Sequence, residues 1–311
     1  MQFDRVSRVD RVIRAVRVAA VGALALTATV AGSAAASATP DVGPDAAPRS
    51  GPAYVALGDS RASGPLIDVA SHRDLCLRST TANYPALLAR SLDASSFVDV
   101  TCSAAKPEHV IDTAQFVGTR FAPPQLEQLG PDTDLVTISI GGGGSNHLPV
   151  TALCVALIPG ADAHCRDNAL SERLVVDGVE RMRPQVDAVV ESVVRAAPNA
   201  RVYLIGHGGS VGHRGCWPNL PMSDADATWL SGYFDRFNDI YVTAAQRHGV
   251  EYVDIAKAAI DGGHDACAAR EDRWFEGLIP GSPAEPAHPN ARAMEAIAQL
   301  VADDYARASG S

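Results

Sequence analysis

The chain has 311 residues, of which 47% are hydrophobic and 20% are charged. This balance provides enough apolar side chains for a sizeable core and excludes an intrinsically disordered protein. The net charge of −10 is not accompanied by any basic stripe or aromatic-interleaved basic patch, which argues against nucleic acid as a partner.

The first 38 residues have the features of a secretory signal peptide. Five arginines between Arg5 and Arg17 precede an apolar run at 18–30, and the segment ends in the small residues 36–38. We expect cleavage before Thr39 and secretion of the mature chain. The alternative is an uncleaved membrane anchor, because 18–38 is about long enough to span a bilayer, but Gly, Ser and Thr dilute its hydrophobicity. We therefore expect no stable membrane span in the mature chain.

The remaining chain is predicted to form one α/β domain. Residues 39–52 are rich in Pro, Gly and small residues and are predicted to be a disordered lead-in, followed by a single domain over 53–311. Because strands alternate with helices, we expect a parallel sheet covered on both faces. Short apolar runs predict about five strands, at 54–57, 97–100, 135–140, 202–205 and 252–255.

Three helices can be predicted from periodicity and capping. Apolar residues recur at helical spacing over 170–197, where Pro184 is expected to kink or split the helix. A second helix is predicted from Ser223, with Asp226 three residues on, to Gly249. The last begins near Asn290.

Six cysteines follow the signal, an even number in an oxidising compartment, so three disulfides are expected. Six cysteines allow 15 connectivities, and the residues alone do not choose among them, although Cys154 and Cys165 would close a short loop. No C-x-x-C pair occurs and the nine histidines are scattered without ligand spacing, so we expect no metal and no cofactor.

Glycine-rich loops follow three of the predicted strands, at the edge where ligands of open α/β sheets bind. Ser60 follows the first strand, and a serine nucleophile requires a base within hydrogen-bond reach. The alternative is that Asp59 and Ser60 only cap the next segment. The candidate base is His288, in a loop before the last helix, although a lone loop histidine is usually only solvated.

Several motifs together resemble the GDSL or SGNH hydrolases, and specifically their secreted, three-disulfide bacterial esterase/lipase branch. The likeness covers nearly all of 53–306, and its strength lies in the order and spacing of the motifs. They are ALGDSRASG, CLRSTTANYPALLA, TCSAA, DTDLVTISIGGGG, GCWP, GHDAC, RWFEGL and HPNA. The resemblance implies a three-layer α/β/α, flavodoxin-like domain and an ester-cleaving serine. It also implies the disulfides Cys76–Cys102, Cys154–Cys165 and Cys216–Cys267.

By this resemblance, Ser60 is the nucleophile and His288 its base. The histidine is then oriented by residue 285, through either the carboxylate of Glu285 or its main-chain carbonyl. The oxyanion donors implied are the N–H of Ser60, the N–H of Ala104, which replaces a family glycine, and an asparagine side chain in G-G-N-D. The replacement of glycine by Ala104 is harmless if the local φ is negative and causes backbone strain if it is positive.

The G-G-N-D block is degenerate, since Gly143 stands at the asparagine position and Gly144 at the aspartate position. Loss of one oxyanion donor typically lowers turnover by about 10²–10³. Asn146, three residues on, is a candidate replacement if the four glycines let it fold back. Alternatively, the glycine N–H groups themselves form an anion-binding nest, or the run is a plain flexible turn.

Two further residues are candidate substrate contacts. Arg61 is positioned to meet an anionic substrate group or to pair with Glu285 or Asp59, and we favour pairing. His207, with His213, is expected to line the pocket.

We therefore expect a secreted serine ester hydrolase (esterase or lipase) acting on a small-molecule or lipid ester, weakened by loss of the asparagine. The alternative is a catalytically impaired relative that binds acylated lipids or glycans at the cell surface. Oligomeric state is not encoded in any recognisable motif.

Overall fold

The computed structural model of the chain describes residues 50–69 and 71–310. The predicted signal peptide and residues 39–49 of the predicted lead-in lie outside the described residues. The first strand begins at Gly51, two residues before the predicted start of the domain. The strands are β1 (Gly51–Gly58), β2 (Ala94–Asp99), β3 (Gln115–Val117), β4 (Arg120–Ala122), β5 (Leu135–Ser139), β6 (Arg201–Ile205) and β7 (Glu251–Val253). The α-helices are α1 (Ser60–Ser63), α2 (Tyr84–Ser91), α3 (Pro107–Ile111), α4 (His147–Cys154), α5 (Ala169–Ala196), α6 (Asp224–His248), α7 (Ile255–Asp261) and α8 (Ala291–Ser309).

Five of the strands form one parallel sheet in the order β2-β1-β5-β6-β7, and this confirms the predicted α/β class and strand count. A small antiparallel pair, β3 and β4, lies outside it and was not predicted. The predicted strand at 252–255 ends earlier, at Val253. Asp254 caps α7 by accepting a hydrogen bond from the N–H of Lys257, so Ile255 is already helical.

The sheet is covered on both faces, which gives the three layers that the family resemblance implied. Along β1, Val55 and Leu57 pack into one core with side chains of α3, α4, α5 and α6. The alternate residues, Tyr54 and Ala56, pack into a second core with α2, α7 and α8. This alternation follows from the two-residue period of a strand.

The two long helices begin and end close to their predicted limits. The Ser223 side chain accepts from the N–H of Asp226, and α6 ends at Gly249, whose φ of 68° is left-handed. Pro184 does not split α5, which continues for 28 residues. Pro184 has no N–H to donate to the Glu180 carbonyl, four residues earlier. Both residues are exposed, so water can solvate that carbonyl.

All three disulfides that the resemblance implied are present: Cys76–Cys102, Cys154–Cys165 and Cys216–Cys267. Within the described ranges, no helix has both the length and the hydropathy needed to cross a bilayer.

The strand order places a crevice between β1 and β5. The chain leaves β1 toward β2 on one side and leaves β5 toward β6 on the other, so the loops after these two neighbouring strands diverge at the carboxyl edge. Ligands of open α/β sheets bind at such a switch point. Ser60 follows β1 and the four-glycine run follows β5, so both lie at this position.

Candidate active site

Ser60 lies at the first position of α1, directly after β1. Asp59 caps the helix, since its Oδ1 accepts from the N–H of Arg61 at 3.0 Å. Gln125 holds the backbone just before it, because its side chain accepts from the Gly58 N–H at 2.7 Å and donates to the Gly58 carbonyl at 3.0 Å. A Cβ on Gly58 would lie 2.4 Å from the carbonyl oxygen of Ser139, so only glycine fits here. Ser60 is thus presented on a tightly held turn.

The structure brings Ser60 and His288 together across 228 positions of the chain. The Ser60 Oγ lies 2.7 Å from the His288 Nε2. This is the hydrogen-bond distance that a serine nucleophile and its base require. The capping role considered for this turn is filled by Asp59 rather than by Ser60.

The imidazole of His288 is oriented by Pro286, and the prediction that residue 285 does so is wrong. His288 Nδ1 lies 2.8 Å from the Pro286 carbonyl oxygen, which can only accept, so Nδ1 carries the proton and Nε2 is free to accept from Ser60. The Glu285 carbonyl accepts instead from the His288 main-chain N–H at 3.2 Å. The reason is a tight turn, because Ala287 has a left-handed φ of 59° and brings the carbonyl of 286 round to the ring.

The Glu285 carboxylate lies on the other side of the imidazole. Its Oε2 is 3.6 Å from His288 Nε2, the nitrogen that faces Ser60, and the side chain is 39% exposed. Burial raises the pKa of Glu285. This carboxylate therefore lies beside the contact between Ser60 Oγ and His288 Nε2, and the nitrogen that it approaches is Nε2 rather than Nδ1.

Burial lowers the pKa of His288 to about 4. Two smaller effects are included in this value: the hydrogen bond to the Pro286 carbonyl raises the pKa, and the charge of Arg61 lowers it. The imidazole is therefore neutral at neutral pH, which is the state that accepts a proton from serine.

A buried carboxylate that the sequence analysis does not predict lies beneath the histidine loop. Glu276 is completely buried, and its carboxylate accepts from the Asn290 side chain at 2.9 Å and from the Gly281 N–H at 2.7 Å. The Glu276 N–H donates to the His288 carbonyl at 2.9 Å. The motif RWFEGL therefore holds the loop that carries His288, and the glutamate inside an aromatic and apolar segment was the available signal.

The glycine run forms an anion-binding turn, and the anion is Asp59 of the same chain. Asp59 Oδ2 accepts from the N–H groups of Gly141 and Gly142, both at 3.0 Å. Asp59 is 1% exposed, and its desolvation raises its pKa despite these hydrogen bonds. Gly141 has a φ of 125°, and a Cβ there would lie 2.3 Å from the Tyr241 hydroxyl. The nest considered for this run is therefore present, but at these two glycines it is already occupied.

Asn146 does not turn back toward Ser60. Its amide donates to the Leu174 carbonyl at 2.9 Å and accepts from Arg181 at 2.8 Å, so it is bound to α5 and its surroundings. The structure therefore corrects the prediction that the Asn146 amide contributes to the oxyanion site. The cause is the left-handed φ of 64° at Asn146, which starts α4 and directs the side chain to the neighbouring helix.

Three main-chain N–H groups in the crevice are free to donate. In the described part of the chain, no acceptor is present for the N–H of Ser60, Ala104 or Gly143. Their loops adjoin: Cys102 donates to the Gly58 carbonyl at 3.0 Å, and a Cβ on Gly143 would lie 3.7 Å from the Ala105 carbonyl. Ala104 has a φ of 62°, the strained case foreseen for this substitution.

The two candidate substrate contacts differ in access. His207 is 3% exposed, and its main chain is paired on both sides with the Asn238 amide at 2.8 Å, so it is a packed residue and does not line an open pocket as predicted. Arg61 is half-buried. Its guanidinium donates to the Gly208 carbonyl at 2.7 Å and lies over the Phe275 ring, with 5.2 Å to the centroid.

His147 is a third histidine at the crevice and was assigned no role from the sequence. Its Nδ1 lies 2.7 Å from Ser145 Oγ. Burial, with a smaller contribution from the charge of Arg61, lowers its pKa to about 4. It is therefore a neutral hydrogen-bonding group that supports the turn after the glycine run.

Comparison with known proteins identifies the family of the chain. The model of the GDSL-like Lipase/Acylhydrolase family matches residues 56–296. A protein named Lipase 2 from Streptomyces coelicolor is 34% identical over 291 residues, which cover 90% of this chain and 91% of that protein.

Two solved structures share the fold. Phospholipase A1 from Streptomyces albidoflavus, known from a crystal structure, has 28% sequence identity to this chain and a TM-score of 0.62. The match covers 82% of this chain and 99% of that one. An extracellular lipase from Streptomyces rimosus is 24% identical with a TM-score of 0.61, covering 81% and 99%.

Proposed function

Because the chain belongs to the GDSL-like lipase/acylhydrolase family and is a carboxylic ester hydrolase, we propose that it cleaves acyl esters with Ser60 as nucleophile and His288 as general base. The observation that carries this proposal is the 2.7 Å contact between Ser60 Oγ and His288 Nε2. The Pro286 carbonyl takes the part that a carboxylate plays in a Ser-His-Asp triad, since it accepts from the imidazole Nδ1–H.

The chemistry follows from the tautomer of His288. Nε2 removes the hydroxyl proton as Ser60 Oγ attacks the ester carbonyl, and the imidazolium then gives that proton to the departing alcohol. Water repeats the sequence on the acyl-enzyme: Nε2 removes a proton from water, the acid is released, and the proton returns to Ser60. Because the Pro286 carbonyl is uncharged, it holds the ring but neutralises none of the positive charge that forms on it.

The oxyanion is stabilised by main-chain donors only. The three free N–H groups, of Ser60, Ala104 and Gly143, are the donors assigned to the developing negative charge. Asn146 is left out of this set because its amide is bound to Leu174. Gly143 then replaces, through its backbone, the side-chain amide that the family motif places at this position.

The test is Ser60-dependent reaction with a fluorophosphonate probe and with nitrophenyl esters of graded acyl length. We expect the purified mature protein to be labelled and to turn over esters, and Ser60→Ala to do neither. His288→Ala should lose both as well. If the wild-type protein gives no Ser60-dependent labelling or turnover, the alternative of a protein that only binds acylated lipids or glycans is favoured.

Secretion is part of the proposal. It is supported by three disulfides, which form in oxidising compartments, and by the arginine-rich and apolar residues 1–38. Expression of the full chain in an exporting bacterial host should place the protein in the medium with Thr39 as its first residue, as read by N-terminal sequencing. A secreted protein that retains residues 1–38 would contradict the cleavage site.

A further inference from the structure

Arg61 carries a positive charge next to Ser60, and no carboxylate of the described residues neutralises it by an ion pair. From the sequence, pairing with Glu285 or Asp59 is the favoured prediction for Arg61. Over residues 50–69 and 71–310, however, no acidic side chain lies within ion-pair distance of the Arg61 guanidinium. Both Asp59 oxygens accept from main-chain N–H groups, one of them that of Arg61 itself, and Asp59 acts on the Arg61 guanidinium only through its charge. The favoured prediction of pairing is therefore wrong.

The guanidinium also has unused donors. One nitrogen, Nη2, donates to the Gly208 carbonyl at 2.7 Å. The other N–H groups have no acceptor among the described residues. Arg61 is half-buried, and none of its nitrogens belongs to the fully buried unpaired atoms, which include Arg273 Nε, so the unused donors keep some access to solvent. A planar fork with free, accessible N–H groups matches a carboxylate or a phosphate.

The position of the Arg61 guanidinium is fixed by its contacts with Phe275 and Gly208. The buried Phe275 ring supports it from behind, and Gly209 packs so closely on that ring that a Cβ there would lie 2.5 Å from it. Arg61 follows Ser60 directly in α1, and its charge lowers the pKa of His288 and of His147. The cation therefore acts on the same space that the ester must enter.

We propose that Arg61 binds an anionic group of the substrate, a carboxylate or a phosphate that lies a few bonds from the scissile ester. This proposal rests on the proposed function, whose active site it shares. The chain as a whole is acidic, with a net charge of −10, so its overall field repels such a substrate. The local guanidinium supplies the attraction, and it selects anionic esters over neutral esters of the same length.

The test compares matched anionic and neutral esters. The pairs are the nitrophenyl monoester of pentanedioic acid against nitrophenyl pentanoate, and 1,2-dibutyrylglycerol 3-phosphate against 1,2-dibutyrylglycerol. For wild-type protein we expect a higher kcat/KM on the anionic member of at least one pair, mainly through KM. The pair that shows the preference identifies the anion as carboxylate or phosphate. In Arg61→Met the ratio should fall about tenfold or more, as expected for loss of a charge-assisted hydrogen bond. Arg61→Lys should keep part of it.

Arg195→Met, which removes an exposed cation on α5, is the matched control and should keep the wild-type ratio. Equal ratios in wild type and Arg61→Met for both pairs, with labelling by fluorophosphonate intact, would overturn the anion subsite and leave the hydrolase proposal standing.

A binding measurement separates this proposal from catalysis. By calorimetry, Ser60→Ala should bind the preferred anionic ester more tightly than its neutral partner, and Ser60→Ala/Arg61→Met should not distinguish them. If Ser60→Ala binds both equally, the subsite is refuted whether or not the wild type turns over esters. Thermal unfolding of each variant checks that it is folded.

Discussion

At the scale of single residues, the orientation of His288 depends on one carbonyl group. The Nδ1–H meets the Pro286 carbonyl at 2.8 Å, whereas the nearest carboxylate, Glu285, is 3.6 Å from the opposite nitrogen. A carbonyl selects the same tautomer as a carboxylate would, because both accept from Nδ1–H. The tautomer is therefore set by backbone that cannot be removed by a side-chain substitution.

This geometry predicts a small effect of removing the nearby carboxylate. Glu285→Gln should change kcat/KM for a nitrophenyl ester by less than about threefold, whereas loss of a true triad carboxylate costs about 10⁴ in kcat. Glu271→Gln serves as an exposed carboxylate control. A loss of 10² or more in Glu285→Gln alone would show that the glutamate, and not the Pro286 carbonyl, orients the ring.

The buried state of His288 predicts activity at acid pH. The active imidazole is neutral, and its pKa is lowered to about 4 by burial, so kcat/KM should stay high on acidification and fall only as the pH passes below about 4. The measurement is the pH profile of kcat/KM, which reports the free enzyme, with unfolding followed in parallel. An acid limb centred near the ordinary histidine value of about 6.5 would contradict this environment.

At the scale of elements, one carboxylate connects the two loops of the crevice. Asp59, after β1, accepts from Gly141 and Gly142 after β5, and from Arg61 in α1. With these N–H groups engaged, the turn leaves the next N–H, that of Gly143, without an acceptor among the described residues. Asp59 is thus placed to position the Gly143 N–H, the backbone donor that we propose for the oxyanion.

Asp59→Asn tests this positioning. Asparagine has one acceptor atom in place of two, so its NH₂ group must face either the glycine N–H groups or the Arg61 N–H, donor against donor. We expect kcat to fall about 10²-fold, as for loss of one oxyanion donor, with KM changed much less. A purely structural role would instead lower stability and leave the kcat of the folded fraction intact. Asp112→Asn, at an exposed position, is the control.

At the scale of the whole molecule, the disulfides hold segments around the sheet. Cys76–Cys102 spans 26 positions and joins the loop after α1 to the segment that carries Ala104. Cys154–Cys165 closes only 11 positions, and Cys216–Cys267 closes 51. Since a cross-link restricts the unfolded chain more when its loop is longer, the three bonds should differ in their contribution to stability.

The order of these contributions can be measured with paired serine substitutions. Replacing Cys216 and Cys267 should lower the free energy of unfolding by about 4 kcal/mol, and replacing Cys154 and Cys165 by about 3 kcal/mol. Equilibrium denaturation in urea under non-reducing conditions, with one pair replaced at a time, provides the comparison. A larger loss for the short loop than for the long one would show that native packing around that bond outweighs loop closure.

The sequence by itself determined the five strands of the parallel sheet, the three longest helices and the two side chains that we propose as nucleophile and base. Strands are marked by short apolar runs and helices by capping residues such as Ser223, signals that act over a few positions, and the motif order marks Ser60 and His288. Tertiary structure alone decided the partners: Pro286 for His288, Asp59 for the glycine run, Leu174 for Asn146, and Gly208 in place of a carboxylate for Arg61. Most of these contacts join positions 28 to 147 apart, and the exception, Pro286, depends on the left-handed turn at Ala287. Such a partner depends on which loops lie next to each other at the edge of the sheet, and local sequence patterns do not encode that arrangement.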